Sequence, residues 1–158
     1  IAKGFGMNVV ATDAYPDLAF KNEVGFEYVD LEKLLSISDI VTIHVPYNKL
    51  TYHLLNKDNM PLMKFGAILI NTARGGIVET EALVSNLKSG HLAGAGLDVL
   101  EGERMPRGGV VDYTLIDMPN VIVTPHIAFY SKEAEVEIIK ITSDNISKFV
   151  DGKPQNLV

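Results

Sequence analysis

The order of elements in this sequence predicts an α/β protein built on a parallel sheet. Three observations carry the prediction. Short apolar runs rich in Val, Ile and Leu are bounded by Gly, Pro, Asn or Asp, segments with helical spacing lie between them, and the two signals alternate along the chain. Parallel strands need a crossover between neighbours, so alternation of this kind favours a parallel over an antiparallel sheet.

In chain order, Ile1 to Met7 reads as the last turns of a helix stopped by Gly4 and Gly6, running into a strand over Asn8 to Thr12. Further strands are expected over Ile40 to Val45, Ala67 to Asn71, Gly94 to Val99 and Val121 to Thr124, each apolar enough to be buried. Helical spacing marks Leu31 to Ser36, Met60 to Met63, Thr80 to Leu87 and Lys132 to Val150. The stripe of the last helix reads as the core face of a terminal helix. Arg104 to Asn120, with Pro106, Gly108, Gly109 and Pro119, reads as an irregular excursion, and Gly152 to Val158 as an exposed tail.

Composition narrows the class. The chain has 158 residues, enough for one core-forming domain, with 47% hydrophobic and 22% charged residues. A formal charge of −6 disfavours nucleic acid and anionic membranes as partners, because the phosphate term would be repulsive. The absence of Cys excludes a disulfide framework and thiolate chemistry, and fits the reducing cytoplasm. No apolar stretch approaches the roughly 20 residues needed to cross a bilayer. His44, His53 and His91 have no acidic neighbours at metal-ligand spacing, so they read as structural or solvent-facing and no metal is expected.

The candidate chemistry stands at strand ends. Asp13 follows the first strand, where a dinucleotide fold places the acceptor for the adenine ribose hydroxyls; the alternative is a cap on the turn before Ala14, Tyr15 and Pro16. Arg74 lies in Asn71-Thr72-Ala73-Arg74-Gly75-Gly76, after the strand that starts at Ala67. It can grip a carboxylate with two hydrogen bonds, or it is simply a surface Arg. The strand from Gly94 delivers Asp98, Glu101 and Glu103, and the strand from Val121 ends in Thr124-Pro125-His126. An acid and an imidazole from neighbouring strands suit general acid/base work, although a lone His126 also reads as a satisfied boundary residue.

Four motifs occur together: Val41 to Pro46, Ile70 to Gly75, Gly94 to Glu103 and Thr124 to Tyr130. In order and spacing they resemble the D-isomer-specific 2-hydroxyacid dehydrogenases, from Gly6 to about residue 153. The resemblance implies a Rossmann-like, doubly wound parallel sheet that is truncated at its N-terminal βα unit. The glycine-rich loop normally lies about 20 residues before the ribose acid, which falls ahead of Ile1. It divides the chain into a partial NAD-binding domain over residues 1–125 and a helix and tail over residues 126–158 that return toward a substrate domain.

The resemblance further implies NAD as cofactor, a small 2-keto or 2-hydroxy acid as substrate, and a homodimer paired through the cofactor domain. It carries the substrate-binding arginine onto Arg74, its acid partner onto Glu103 and the proton-transferring histidine onto His126. Glu101 competes for the acid role, but Glu103 keeps the family's spacing from Arg74. Cofactor contacts fall on Asp13, Val45, Pro46, Thr51, Thr72, Ala73 and Asp98. Phe129 and Tyr130 are similar to the D-lactate dehydrogenase pattern, in which an aromatic lines a small substrate pocket. A glutamine in place of Glu103 would have pointed to formate dehydrogenases. The resemblance leaves phosphoglycerate, glyoxylate and hydroxyisocaproate enzymes open, together with a non-catalytic NAD-sensing or corepressor relative and an inactive fragment. Exposed apolar surface around Val9 and Ile40 is expected of the fragment.

Overall fold

The computed structural model describes residues 1–103 and 113–157. They fall into two compact units, Ile1–Pro125 and His126–Val158.

The first unit opens on a 3-10 turn, Ala2–Phe5, which closes on Gly6 in the left-handed region rather than on Gly4. The elements that follow are β1 (Val10–Ala11), α1 (Leu18–Val24), β2 (Glu27–Tyr28), α2 (Leu31–Ile37), β3 (Ile40–Ile43), β4 (Ala67–Asn71), α3 (Thr80–Lys88), β5 (Leu92–Leu97) and β6 (Val121–Val123). Met60–Leu62 is a 3-10 turn instead of an α-helix, with Pro61 near its start. Among the described residues every strand pair is parallel. β1 pairs with β2, and the other strands form one sheet in the order β3-β4-β5-β6.

Helix α1 and strand β2 have no counterpart in the sequence reading. Both are short, and no residue of either is buried, so no apolar period announces them. Their signals are local instead. Asp17 caps α1 by accepting from the Phe20 N–H at 2.9 Å, and Gly25 ends it at φ 75°, where a side chain would be strained. Asp30 caps α2 in the same way, accepting from the Lys33 N–H at 2.7 Å.

Burial alternates along β3, β4 and β5, so the runs read as buried strands are covered on one face only. Val41, Ile43, Leu69, Leu92 and Leu97 join a core closed by Leu35, Leu55, Met60 and α3's Leu83 and Leu87. On the opposite face Ile40, Ile68 and Ile122 are exposed. Part of the Arg104 to Asn120 excursion lies outside the described residues, including Pro106, Gly108 and Gly109. The described remainder contains a 3-10 turn, Tyr113–Leu115, that buries Leu115.

The second unit is built on α4 (Lys132–Val150), capped by Ser131, whose hydroxyl accepts from the Ala134 N–H at 3.2 Å. Its stripe is not a core face: no residue of the helix is buried, and Ile139, Ile146 and Phe149 are exposed. The tail is exposed as expected, apart from the half-buried Gln155, yet it is tied to the helix. Gln155 and Asn156 both donate to the side-chain oxygen of Asn145 at 3.0 Å, folding the tail back on the helix. Among the described residues no helix is long and apolar enough to cross a membrane.

Candidate functional site

Register decides where the site forms. Ile43 pairs with Asn71, Asn71 with Leu97 and Leu97 with Val123, so β3 to β6 end level with one another. Open parallel sheets bind ligands beyond their carboxyl ends. Val45 and Pro46, Thr72 to Arg74, Asp98 and Thr124 all follow those aligned ends.

The Arg74 loop is shaped by Asn71, the single buried polar residue among the described core positions. Its side-chain oxygen accepts from the Ala73 N–H at 3.0 Å, its amide donates to the Arg74 carbonyl at 3.0 Å, and its own carbonyl accepts from the Asp98 N–H at 2.9 Å. A buried amide with both ends satisfied holds a loop firmly, since releasing it would strand polar groups out of water. Arg74 itself is extended, and its Nη1 donates to the Ala73 carbonyl at 2.6 Å. At Gly75 the loop runs against the next segment: a Cβ there would stand 2.1 Å from the Leu100 carbonyl carbon and oxygen. A Cβ at Gly76 would meet the Tyr47 ring at 2.9 Å.

These close approaches place Arg74 and Glu103 on the walls of one recess of about 120 Å³, with Tyr47, Tyr52 and Glu101. Glu103 folds back so that its Oε2 accepts from the Leu100 N–H at 2.9 Å. Glu101 has other partners. Its Oε1 accepts from His53 Nε2 at 2.5 Å, and its Oε2 accepts from the Thr80 hydroxyl at 2.8 Å and the Thr80 N–H at 3.2 Å. Burial alone would raise the Glu101 pKa, but hydrogen bonds from His53 and Thr80 outweigh it and hold the carboxyl below the ordinary glutamate value.

A lowered folded-state value means that the ionised Glu101 stabilises the fold above the ordinary glutamate range and that this contribution is lost as pH falls through the lowered value. The stability difference between the natural chain and Glu101→Gln is therefore expected to be largest near neutral pH and to close in acid. Denaturant titrations across that range check it, and a gap independent of pH would contradict it.

The other expected site residues are placed as follows. Asp13 caps its turn, accepting from the Tyr15 N–H at 2.8 Å, and stays exposed two residues beyond β1. Val45 packs against the core, whereas Pro46 is exposed. The Thr51 hydroxyl donates to the Pro46 carbonyl at 2.6 Å and accepts from the Asn48 N–H at 2.8 Å, closing the turn after β3. Thr72 is exposed and Ala73 half-buried. Asp98 accepts a hydrogen bond from the Thr124 hydroxyl. His126 belongs to the second unit and has a left-handed backbone, φ 55°, unusual for a residue with a side chain. There Phe129 and Tyr130 are exposed, with ring centroids 6.3 Å apart at 75°.

The sequence pattern assigns no role to Asn71 or Thr80 and gives His53 no acidic partner. Asn71 could have been noticed as a polar residue ending an apolar strand. The His53 to Glu101 pair, 48 positions apart, has no local signal.

The model of the D-isomer specific 2-hydroxyacid dehydrogenase NAD binding domain matches residues 1–128. The chain is 43% identical over 158 residues to a glyoxylate reductase of Korarchaeum cryptofilum, covering 99% of this chain and 46% of the relative. It is also 43% identical over 157 residues to a glycerate dehydrogenase of Methylorubrum extorquens, covering 99% of this chain and 47% of that protein. Among solved structures it is similar to the pyruvate reductase of Chlamydomonas reinhardtii, with a TM-score of 0.85 and 38% identity over 98% of this chain and 50% of the other. The chain thus spans about half the length of the curated relatives it matches.

The residues present suit a dinucleotide. Aligned parallel strand ends, an exposed carboxylate after β1, an apolar Val45–Pro46 step and the Thr72–Ala73 backbone supply the mixture of acceptors, donors and apolar wall that such a cofactor requires.

Proposed function

Because the chain belongs to the D-isomer specific 2-hydroxyacid dehydrogenase family through its NAD-binding domain, we propose that it forms the cofactor-binding part of an NAD-dependent oxidoreductase acting at C2 of a small D-2-hydroxy acid or its 2-keto acid. The observation that carries this reading is the recess in which Arg74 and Glu103 stand together at the sheet edge. NAD, when bound, supplies or accepts the hydride.

The chain's own residues do the rest. Arg74 grips the substrate carboxylate with two charge-assisted hydrogen bonds, which turns a loose encounter into an oriented one. His126 gives a proton to the C2 oxygen during reduction and takes it back during oxidation. Glu103 is its acid partner and favours the protonated imidazole that reduction needs. Asp13 accepts from the ribose hydroxyls, and its charge selects against a 2′-phosphate. Val45, Pro46, Thr51, Thr72, Ala73 and Asp98 line the cofactor's path. Phe129 and Tyr130 bound a pocket that suits a substrate of pyruvate size, the D-lactate type of reading, and the named activities of the relatives keep glyoxylate and hydroxypyruvate beside it. Residues 1–125 act as the cofactor domain and 126–158 as the return toward a substrate domain. Pairing of two copies through the cofactor domain and a cytoplasmic setting complete the proposal, supported by the family resemblance and the cysteine-free composition.

NADH oxidation by the full chain with glyoxylate, hydroxypyruvate and pyruvate tests the reading. Turnover of at least one is expected; NADH binding without turnover of any would overturn it in favour of a sensing role. Glu103→Gln is expected to lower the pH at which reduction fails, because removing the negative charge makes the imidazole easier to deprotonate. An unmoved profile would remove Glu103 from that role.

A further inference from the structure

Glu101 and Glu103 share one turn, yet Glu101 is committed elsewhere. Both of its carboxylate oxygens are engaged, and its side chain is only 26% exposed. Its partners come from two other segments that border the recess. His53 closes the turn after β3 that carries Tyr47 and Tyr52, and Thr80 opens α3 at the end of the loop that starts from Arg74.

His53 is held from several sides. Its ring stacks on Tyr52 at 3.9 Å and 17°, its N–H donates to the Gly76 carbonyl at 2.9 Å, and its carbonyl accepts from the Asn56 amide at 2.9 Å. Its backbone lies in the left-handed region at φ 48°, a conformation that persists in a residue with a side chain only where the surroundings enforce it. Glu101 also does for α3 what a capping residue normally does, since Glu79 makes no side-chain cap and the Thr80 N–H finds its acceptor on Glu101.

We infer that Glu101 and His53 form a positioning pair, a clasp that ties the Tyr47 to His53 turn, the Arg74 to Thr80 loop and the Leu100 to Glu103 turn together so that Tyr52 and Arg74 face one recess. The pair takes no part in proton transfer. To act as the partner of a proton-transferring histidine, Glu101 would have to give up hydrogen bonds to His53 and Thr80. What the recess binds rests on the function proposed above; the clasp itself does not.

The test uses the full chain with Glu101→Ala, Glu101→Gln, His53→Ala and the double alanine variant. Glu101→Ala is expected to raise KM for the 2-keto acid by about tenfold or more, with a smaller effect on kcat, because a misplaced Arg74 and Tyr52 weaken substrate orientation. The pH profile should stay in place. Glu101→Gln, which keeps an acceptor for Thr80 and offers a donor to His53, should restore most of the loss. His53→Ala should resemble Glu101→Ala, and the double variant should add little, as expected for two members of one unit. Amide hydrogen exchange at His53 and Thr80 should quicken in Glu101→Ala whether or not any substrate is turned over.

A pH profile shifted by Glu101→Gln would make Glu101 the acid partner and overturn the inference. So would unchanged KM and unchanged exchange in Glu101→Ala. If the natural full chain turns over no 2-keto acid, the functional reading fails and the exchange comparison alone decides: faster exchange upholds the clasp, and unchanged exchange overturns it.

Discussion

Replacing Gly75 by alanine is expected to destabilise the chain by more than about 3 kcal/mol and to abolish any activity the recess supports. The added Cβ would lie 2.1 Å from the Leu100 carbonyl carbon and oxygen and 2.4 Å from the Glu101 nitrogen. Those neighbours are backbone atoms, not the tip of a flexible side chain, so one of the two loops must move. Gly75 is needed for space and not for a special dihedral, since it is absent from the glycines with positive φ. Moving either loop separates Arg74 from Glu103. Denaturant unfolding of the full-length variant, read beside NADH turnover, checks the prediction. A variant within about 1 kcal/mol of the natural chain would show that the loops are not in obligatory contact.

His126→Asn is expected to lower kcat for 2-keto acid reduction by about 10²- to 10⁴-fold, the usual contribution of a positioned general acid. Asparagine is chosen because it tolerates the left-handed backbone that His126 adopts, so the loss reports chemistry and not strain. Unfolding free energy and NADH affinity should change little. The measurement is steady-state turnover of the full chain at saturating NADH. A loss below about tenfold would assign the proton to another group.

The candidate residues are legible as positions because they follow apolar runs, and the structure brings two of them, Arg74 and Glu103, to one recess. β4 runs from Ala67 to Asn71 and α4 from Lys132 to Val150, as the sequence predicts, since one is a compact apolar run and the other a long periodic one with a Ser cap. The apolar run predicts a strand over Asn8 to Thr12, but only Val10 and Ala11 pair, and they pair with Glu27 and Tyr28, a strand too short to show a pattern of its own. Helix α1 gives no periodic signal because its seven residues bury nothing, although Asp17 and Gly25 mark its two ends. The stripe of α4 predicts a core face, and its exposure shows that periodicity identifies an amphipathic helix without saying what covers it.

Taken alone, then, the sequence determined the alternation of strand and helix, the parallel character of the sheet, and the presence of Asp13, Arg74, Glu103 and His126 near strand ends. Apolar periodicity and turn chemistry are local, and a single strand with its flanking residues expresses them. Tertiary structure alone decided that β3 to β6 end in register, that Gly75 lets two loops touch, and that Glu101 belongs to His53 and Thr80. Those outcomes join residues from 21 to 48 positions apart. They follow from hydrogen-bond geometry and excluded volume between segments, which no local pattern encodes.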